Sequence, residues 1–297
     1  MNLEFIKGVI VPVVTPVDAA DRVAEKSYRQ VIEHVIRGGV HGVFALGSNG
    51  EFYGLDFDQQ KRAVELAVDQ CQGRVPVYAG IGSITTRECV RSARMAEAAG
   101  AQALTILPPM FISPSDDELY EHFRAIAAAT TLPVLLYNNP DRCKVNVSAA
   151  LVEKLADIPN MVGAKDSSGD LTLTSEYIRR TQGKNFRVMA GRDTMILGTL
   201  VYGGYGCVAA TANVAPQLVV SIYDKYMAGD LPGALQAQYA LAPLRIGFGL
   251  GSWPVVTKEA VRLIGFDVGD PIKPNGPCSE ANLAKLKTIL QNMGLLK

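Results

Sequence analysis

The chain lacks the features that mark several protein classes. Its five cysteines, Cys71, Cys89, Cys143, Cys207 and Cys278, are odd in number, widely scattered and form no C-x-x-C pair. That usage fits free thiols in a reducing cytoplasm and speaks against a disulfide framework or a zinc site. No run approaches about 18 uninterrupted apolar residues, so no membrane span is expected. Lys plus Arg and Asp plus Glu both number 29, so the formal net charge is zero. No basic tract points to nucleic acid. The N-terminal stretch MNLEFIKGVIVPVV has neither a basic start nor a small-residue cleavage site. It reads as a first strand rather than a signal peptide. The only histidines, His34, His41 and His122, fall in or beside helical patterns. Metal-dependent catalysis needs a ligand cluster, and that route is disfavoured.

What is present is hydrophobic and repetitive in its grammar. A chain of 297 residues with 48% hydrophobic content can fill one large α/β barrel or two smaller domains. Short β-rich apolar runs at 9–14, 40–46, 75–81, 101–107, 133–138, 161–165, 187–190 and 207–210 read as strands. Amphipathic stretches at 25–37, 58–72, 86–99, 116–130, 148–155 and 171–181 read as helices. Many of these stop on glycine: Gly38-Gly39, Gly73, Gly100, Gly183. Eight strands alternating with helices and no interdomain linker predict a closed (β/α)8 TIM barrel over residues 1–220. An open doubly wound sheet would need a cofactor loop after its first strand, and Thr15-Pro16-Val17-Asp18 is not one. From about Pro216 the chain reads helical, through 221–226, 231–244, 255–263 and 280–293. Residues 221–297 are expected to form a C-terminal helical layer packed on the barrel.

Barrel active sites lie at the C-terminal ends of the strands, which turns a strand list into a site list. Lys165 stands out there, in Met161-Val162-Gly163-Ala164-Lys165-Asp166. Burial disfavours the charged form of a lysine, and a neutral amine attacks carbonyl carbon. The alternative is a lysine snorkelling from a strand end. Period-two alternation puts Gly163 on the same face as Lys165, which is expected to leave space beneath the amine. Tyr137 ends the neighbouring fifth strand and offers a hydroxyl for proton transfer. The turn Gly47-Ser48-Asn49-Gly50-Glu51 after strand two has the glycines and successive N–H groups that hold an anion such as a carboxylate. Arg142, in the loop after strand five, suits a carboxylate clamp. Gly80-Ile81-Gly82-Ser83 lacks the rest of a dinucleotide fingerprint, and the ends of strands seven and eight lack a glycine-rich phosphate cradle. No cofactor and no metal are expected.

The G-S-N-G-E turn, the Tyr137-Asn138-Asn139-Pro140 strand end and the Gly163-Ala164-Lys165 strand fall in order behind a Val13-Val14-Thr15-Pro16 opening. Together they resemble the dihydrodipicolinate synthase / N-acetylneuraminate lyase family of Schiff-base barrel enzymes, over nearly the whole chain. The resemblance implies that Lys165 forms an imine with pyruvate or a longer 2-oxo acid. Tyr137 would relay protons, and Ser48 would stand for the family's hydroxyl residue bonded to that tyrosine. Ser48 and Asn49 would hold the carboxylate, while Gly191 and Val208 would line the pocket. A cytoplasmic homotetramer, built as a dimer of dimers and taking a 2-oxo acid and an aldehyde, is implied as well.

The sequence departs from the family pattern in two places. Ser48 and Asn49 replace the two threonines of the synthase, and Phe111 takes the substrate-facing position where a neighbouring subunit would donate a tyrosine. Arg142 matches the arginine that binds the aldehyde's carboxylate end, and Arg192 adds a second anion contact. The loop motifs look closer to 4-hydroxy-2-oxoglutarate aldolases. The expected activity is therefore aldol cleavage of 4-hydroxy-2-oxoglutarate or a 2-keto-3-deoxy acid. Alternatives are 4-hydroxy-tetrahydrodipicolinate synthase, a dehydratase using the same imine, and a non-catalytic 2-oxo acid sensor.

Overall fold

The computed structural model describes residues 3–296. Met1 and Asn2, the start of the segment read as the first strand, and Lys297, the end of the tail, lie outside them. Eight parallel strands close into a barrel in sequence order. They are β1 (Gly8–Pro12), β2 (Gly42–Ala45), β3 (Val77–Ile81), β4 (Ala103–Ile106), β5 (Val134–Asn138), β6 (Met161–Asp166), β7 (Arg187–Ala190) and β8 (Gly206–Val208). The barrel closes where Gly8, Val9 and Ile10 pair with Gly206, Cys207 and Val208.

Alternation along each strand sorts its side chains into two cores. Ile10, Phe44, Tyr78, Ala103, Leu135, Val162, Met189 and Val208, one from every strand, pack together inside the barrel. Their neighbours, such as Val9, Val11, Val43 and Ala79, belong to the larger outer core beneath the helices.

The outer ring comprises α1 (Glu25–Arg37), α2 (Phe57–Cys71), α3 (Thr86–Ala98), α4 (Asp116–Ala127), the single turn α5 (Pro140–Cys143), α6 (Ala149–Leu155), α7 (Leu171–Arg180), α8 (Ile196–Val201) and α9 (Pro216–Met227). Their starts follow local chemistry. Asp56 caps α2, and Ser115 with Glu118 forms a reciprocal capping box on α4. The stops at Gly39, Gly73, Gly100 and Gly183 all have positive φ, a conformation glycine adopts without a Cβ penalty. The short α8 carries too little periodicity to stand out in the sequence.

The chain then adds α10 (Leu231–Gly247), α11 (Val255–Leu263) and α12 (Glu280–Asn292). Helix α9 runs through the 220/221 position where the sequence reading divides barrel from tail, and it completes the ring after β8. Helix α10 packs along α9 and onto the turns that follow β7 and β8, while α12 packs against α10 and α11. The C-terminal layer therefore reaches the end of the barrel where strand C-termini converge. Among the described residues, no helix is long and apolar enough to cross a membrane.

Candidate active site

Register brings the two leading residues together. In the β5–β6 ladder Tyr137 pairs with Lys165, and Asn138 with Asp166. Lys165 is 3% exposed and Tyr137 5%. The Lys165 Nζ lies 3.7 Å from the centre of the Tyr137 ring and 5.2 Å from that of Phe44. The amine thus rests on two aromatic faces at the top of the barrel core, an arrangement that favours a cation while excluding water.

The register shifts between Val134 and Leu135, where β6 carries one extra residue. This bulge lets Val162 join the interior core while Gly163 and Lys165 keep the parity of Leu135 and Tyr137. The expected space at Gly163 is therefore not open. A Cβ there would stand 2.4 Å from the Arg187 carbonyl oxygen of β7. Gly163 is glycine because a neighbouring strand comes close, not because the amine needs room beneath it.

The Tyr137 hydroxyl is densely partnered. It accepts a hydrogen bond from Asn139 Nδ2 at 2.8 Å and also meets the side chains of Ser48 and Lys165. Burial alone would push the phenol up. The Lys165 charge and the bonds from Ser48, Lys165 and Asn139 outweigh it, and the pKa falls below its ordinary value of 10. Tyr28, Tyr78 and Tyr177 are also buried, and there burial outweighs what opposes it, the Arg187 charge near Tyr78 included, and drives the phenols upward.

The strand ends are held by polar side chains. Asp166 Oδ1 accepts from Asn138 Nδ2 at 2.9 Å and from the Ser168 amide at 3.0 Å. Its Oδ2 accepts from Ser168 Oγ at 2.9 Å and Thr174 Oγ1 at 2.5 Å. Asn138 Oδ1 in turn accepts from the Val147 amide. These bonds fix the backbone just beyond Tyr137 and Lys165. Gly191 passes so close that a Cβ would meet Ser167 Oγ at 2.1 Å.

Ser48, Asn49, Tyr137, Arg142, Lys165, Gly191, Arg192 and Val208 all line one cavity of about 230 Å³. A cavity of roughly 150 Å³ already accommodates benzene, so a three-carbon acid and a small partner fit here. Ser48–Gly50 forms a 3-10 turn, and Arg142 comes from α5. Arg192 Nη2 pairs with Asp141 Oδ2 at 3.2 Å near the mouth. Phe111 is not brought to this cavity. It is 92% exposed, with φ 73°, on the loop between β4 and α4.

Several lining residues went unassigned in the sequence: Asn139, Ser167 and Asp193 beside the strand ends, and Arg245, Phe248, Gly249, Gly251 and Trp253 from the C-terminal layer. The first three sit inside strand-end motifs that were already recognisable. The last five have no such signal, because docking of α10 places them. Gln238 of α10 donates to the Asp193 carbonyl at 2.9 Å and accepts from the Leu197 amide at 3.1 Å, which fixes that helix over the mouth. Arg245 has a buried Nε with no hydrogen-bond partner among the described residues, and its guanidinium lies 5.5 Å from the Trp253 ring centre. Among the described residues, no three His, Cys, Asp or Glu side chains are grouped to hold a metal ion.

Comparison with known proteins is consistent across the chain. A sequence profile described as the Dihydrodipicolinate synthetase family matches residues 5–293. A 4-hydroxy-tetrahydrodipicolinate synthase from Phenylobacterium zucineum is 37% identical over 292 residues, covering 98% of this chain and 99% of the relative. One from Methanoculleus marisnigri is also 37% identical, covering 98% of this chain and 100% of the relative. Among solved structures, the E. coli K12 prophage protein YagE in complex with pyruvate superposes with a TM-score of 0.94. It shares 33% identity and covers 99% of this chain and 100% of its own. A dihydrodipicolinate synthase from Thermotoga maritima gives a TM-score of 0.95 at 28% identity, over 98% of this chain and 99% of the other.

Proposed function

The chain belongs to the dihydrodipicolinate synthetase family, and from that premise we propose that it joins pyruvate to an aldehyde through a Schiff base on Lys165. Membership makes it a lyase of the Schiff-base class, which sets aside the reading as a non-catalytic sensor. The observation that carries the assignment to Lys165 is its burial against Tyr137 in the cavity that also holds the Ser48–Asn49 turn.

The steps follow from the groups present. The Lys165 amine, once it has given up its proton, adds to the pyruvate keto carbon, giving a carbinolamine. Tyr137 passes a proton to the carbinolamine hydroxyl, which leaves as water, and the protonated imine remains. That iminium accepts the electron pair when the Tyr137 phenolate left by the previous step takes a methyl proton, and the resulting enamine attacks the aldehyde carbon. The aldehyde oxygen takes up a proton, and water hydrolyses the imine to release product. Ser48 and Asn49 seat the pyruvate carboxylate, with Gly191 and Val208 bounding the space around it.

Arg142, Arg192 and Arg245 around the outer cavity support an aldehyde that carries a carboxylate. Aspartate semialdehyde is the first candidate, since the curated relatives are named 4-hydroxy-tetrahydrodipicolinate synthase. This reverses the order of preference drawn from the loop motifs. A second reading, cleavage of 4-hydroxy-2-oxoglutarate or a 2-keto-3-deoxy acid, draws on Ser48-Asn49 in place of two threonines and on a Phe111 that has no hydroxyl to relay. A dehydratase would release no pyruvate.

Borohydride trapping with pyruvate, followed by peptide mapping, tests the imine. A pyruvate-sized adduct on Lys165 is expected, and its absence in folded protein would overturn the assignment. Assay with pyruvate plus aspartate semialdehyde against 4-hydroxy-2-oxoglutarate and 2-keto-3-deoxy acids then separates the two readings.

A further inference from the structure

We propose that Glu51 and Lys258 form a positioning latch by which the C-terminal layer sets the geometry of the Ser48–Asn49 turn. The inference rests on the reading of that turn as the seat of the 2-oxo acid carboxylate. Glu51 Oε2 and Lys258 Nζ are 2.5 Å apart, and both side chains are fully buried. Glu51 Oε1 accepts the Ile272 amide at 2.8 Å, and Lys258 Nζ also donates to the Asp270 carbonyl at 3.0 Å. Glu51 thus reaches across 207 positions of sequence to Lys258 on α11 and to the loop beyond it.

The backbone shows what this reach does. Ser48–Gly50 is a tight turn closed by the Gly50 amide on the Gly47 carbonyl, and Glu51 follows it in the left-handed region with φ 50° and ψ 36°. That conformation is uncommon for a residue with a Cβ and is held more readily where its surroundings constrain it. Here the carboxylate, held at both oxygens, supplies the constraint. Releasing it frees the peptide two residues from Asn49.

Stability alone does not account for the pair. Removing two charges from water is costly, and apolar residues of similar volume commonly hold such a place as well or better. What apolar contact does not supply is direction, which here comes from the Ile272 amide bonded to Oε1 while the Lys258 ammonium stands against Oε2. Helix α11 also begins just after Trp253, which lines the outer cavity. The same rigid segment therefore touches the outer wall and holds the inner carboxylate seat.

The latch is tested by measuring pyruvate dependence of turnover and of borohydride trapping in Lys258→Met, Lys258→Arg and the double variant Glu51→Gln/Lys258→Met. Half-saturating pyruvate is expected to rise about tenfold in Lys258→Met, while the rate at saturation stays within about threefold. Lys258→Arg should recover part of the loss. The double variant, which buries no unpaired charge, should regain thermal stability yet keep the weakened pyruvate dependence, and it carries the test if the single variant does not fold. A folded variant with lowered stability but wild-type pyruvate dependence would mean a structural role only and overturn the latch. No adduct in the wild-type protein would overturn the functional reading and the latch with it.

Discussion

The inner and outer ends of the cavity are built in different ways. At the inner end Lys165 and Tyr137 are buried, the phenol hydroxyl meets three side chains, and the adjoining Asp166 accepts four hydrogen bonds. At the outer end Arg142 is exposed, Arg192 pairs with a largely exposed Asp141, and Arg245 has a buried Nε without a hydrogen-bond partner among the described residues. The inner groups are preorganised before substrate arrives, which is where preorganisation accelerates a reaction. The outer ones offer charge that is only partly committed, which suits recognition of a variable partner.

Removing the inner amine should have the largest effect. Lys165→Ala should abolish the trapped adduct and lower turnover by at least about four orders of magnitude, as expected when a nucleophile is deleted. Peptide mapping and progress curves check this. The same variant should also raise the Tyr137 phenol, because burial would then act without the opposing charge. Ultraviolet titration of the wild type should show one tyrosine ionising below 10, absent in Tyr137→Phe and shifted up in Lys165→Ala. Between the depressed native value and 10, the unfolded chain holds a proton that the native site has released. Tyr137 therefore adds stability as pH rises across that window. A wild-type titration without the early component would break the picture of a preorganised inner end.

Tyr137→Phe should come next, lowering kcat by about 10²–10³ through loss of proton transfer while pyruvate dependence changes little. At the outer end, Arg142→Ala should raise KM for the aldehyde by roughly 10–100-fold, the worth of one charged hydrogen bond, and leave pyruvate trapping unchanged. An equal fall in kcat would show that Arg142 acts on the transition state and erase the distinction between the two ends. The smallest effect is expected at Phe111. On its exposed loop, Phe111→Tyr should alter turnover by less than about threefold, and a larger gain would restore the case for a relay at that position.

Local signals made the inner end readable in advance. Short apolar runs bounded by glycine stops located the strands, and the end-of-strand rule then pointed to Lys165, Tyr137, Ser48 and Asn49. Gly163 was misjudged because period-two counting sets it on the Lys165 face without showing which neighbour lies against it. Its missing Cβ answers to the Arg187 carbonyl, a tertiary neighbour. Arg245, Trp253 and Lys258 were unreadable for a similar reason. Each looks like an ordinary residue of the helical tail until α10 and α11 dock. Phe111 shows the opposite limit, since a motif match names a position without saying that one chain brings it to the cavity.

That late arrival of α10 and α11 has a consequence for how the enzyme is made. A nascent chain from which all eight strands have emerged already contains Lys165, Tyr137, Ser48 and Asn49. It still has no outer wall from Arg245 and Trp253, and its Glu51 has no cation to meet. The outer core runs without a break from the strands into the late helices, through Leu241, Leu244, Leu286 and Leu290, so barrel and site are completed together. A chain that ends before Lys258 therefore lacks part of that core as well as the outer wall of the cavity.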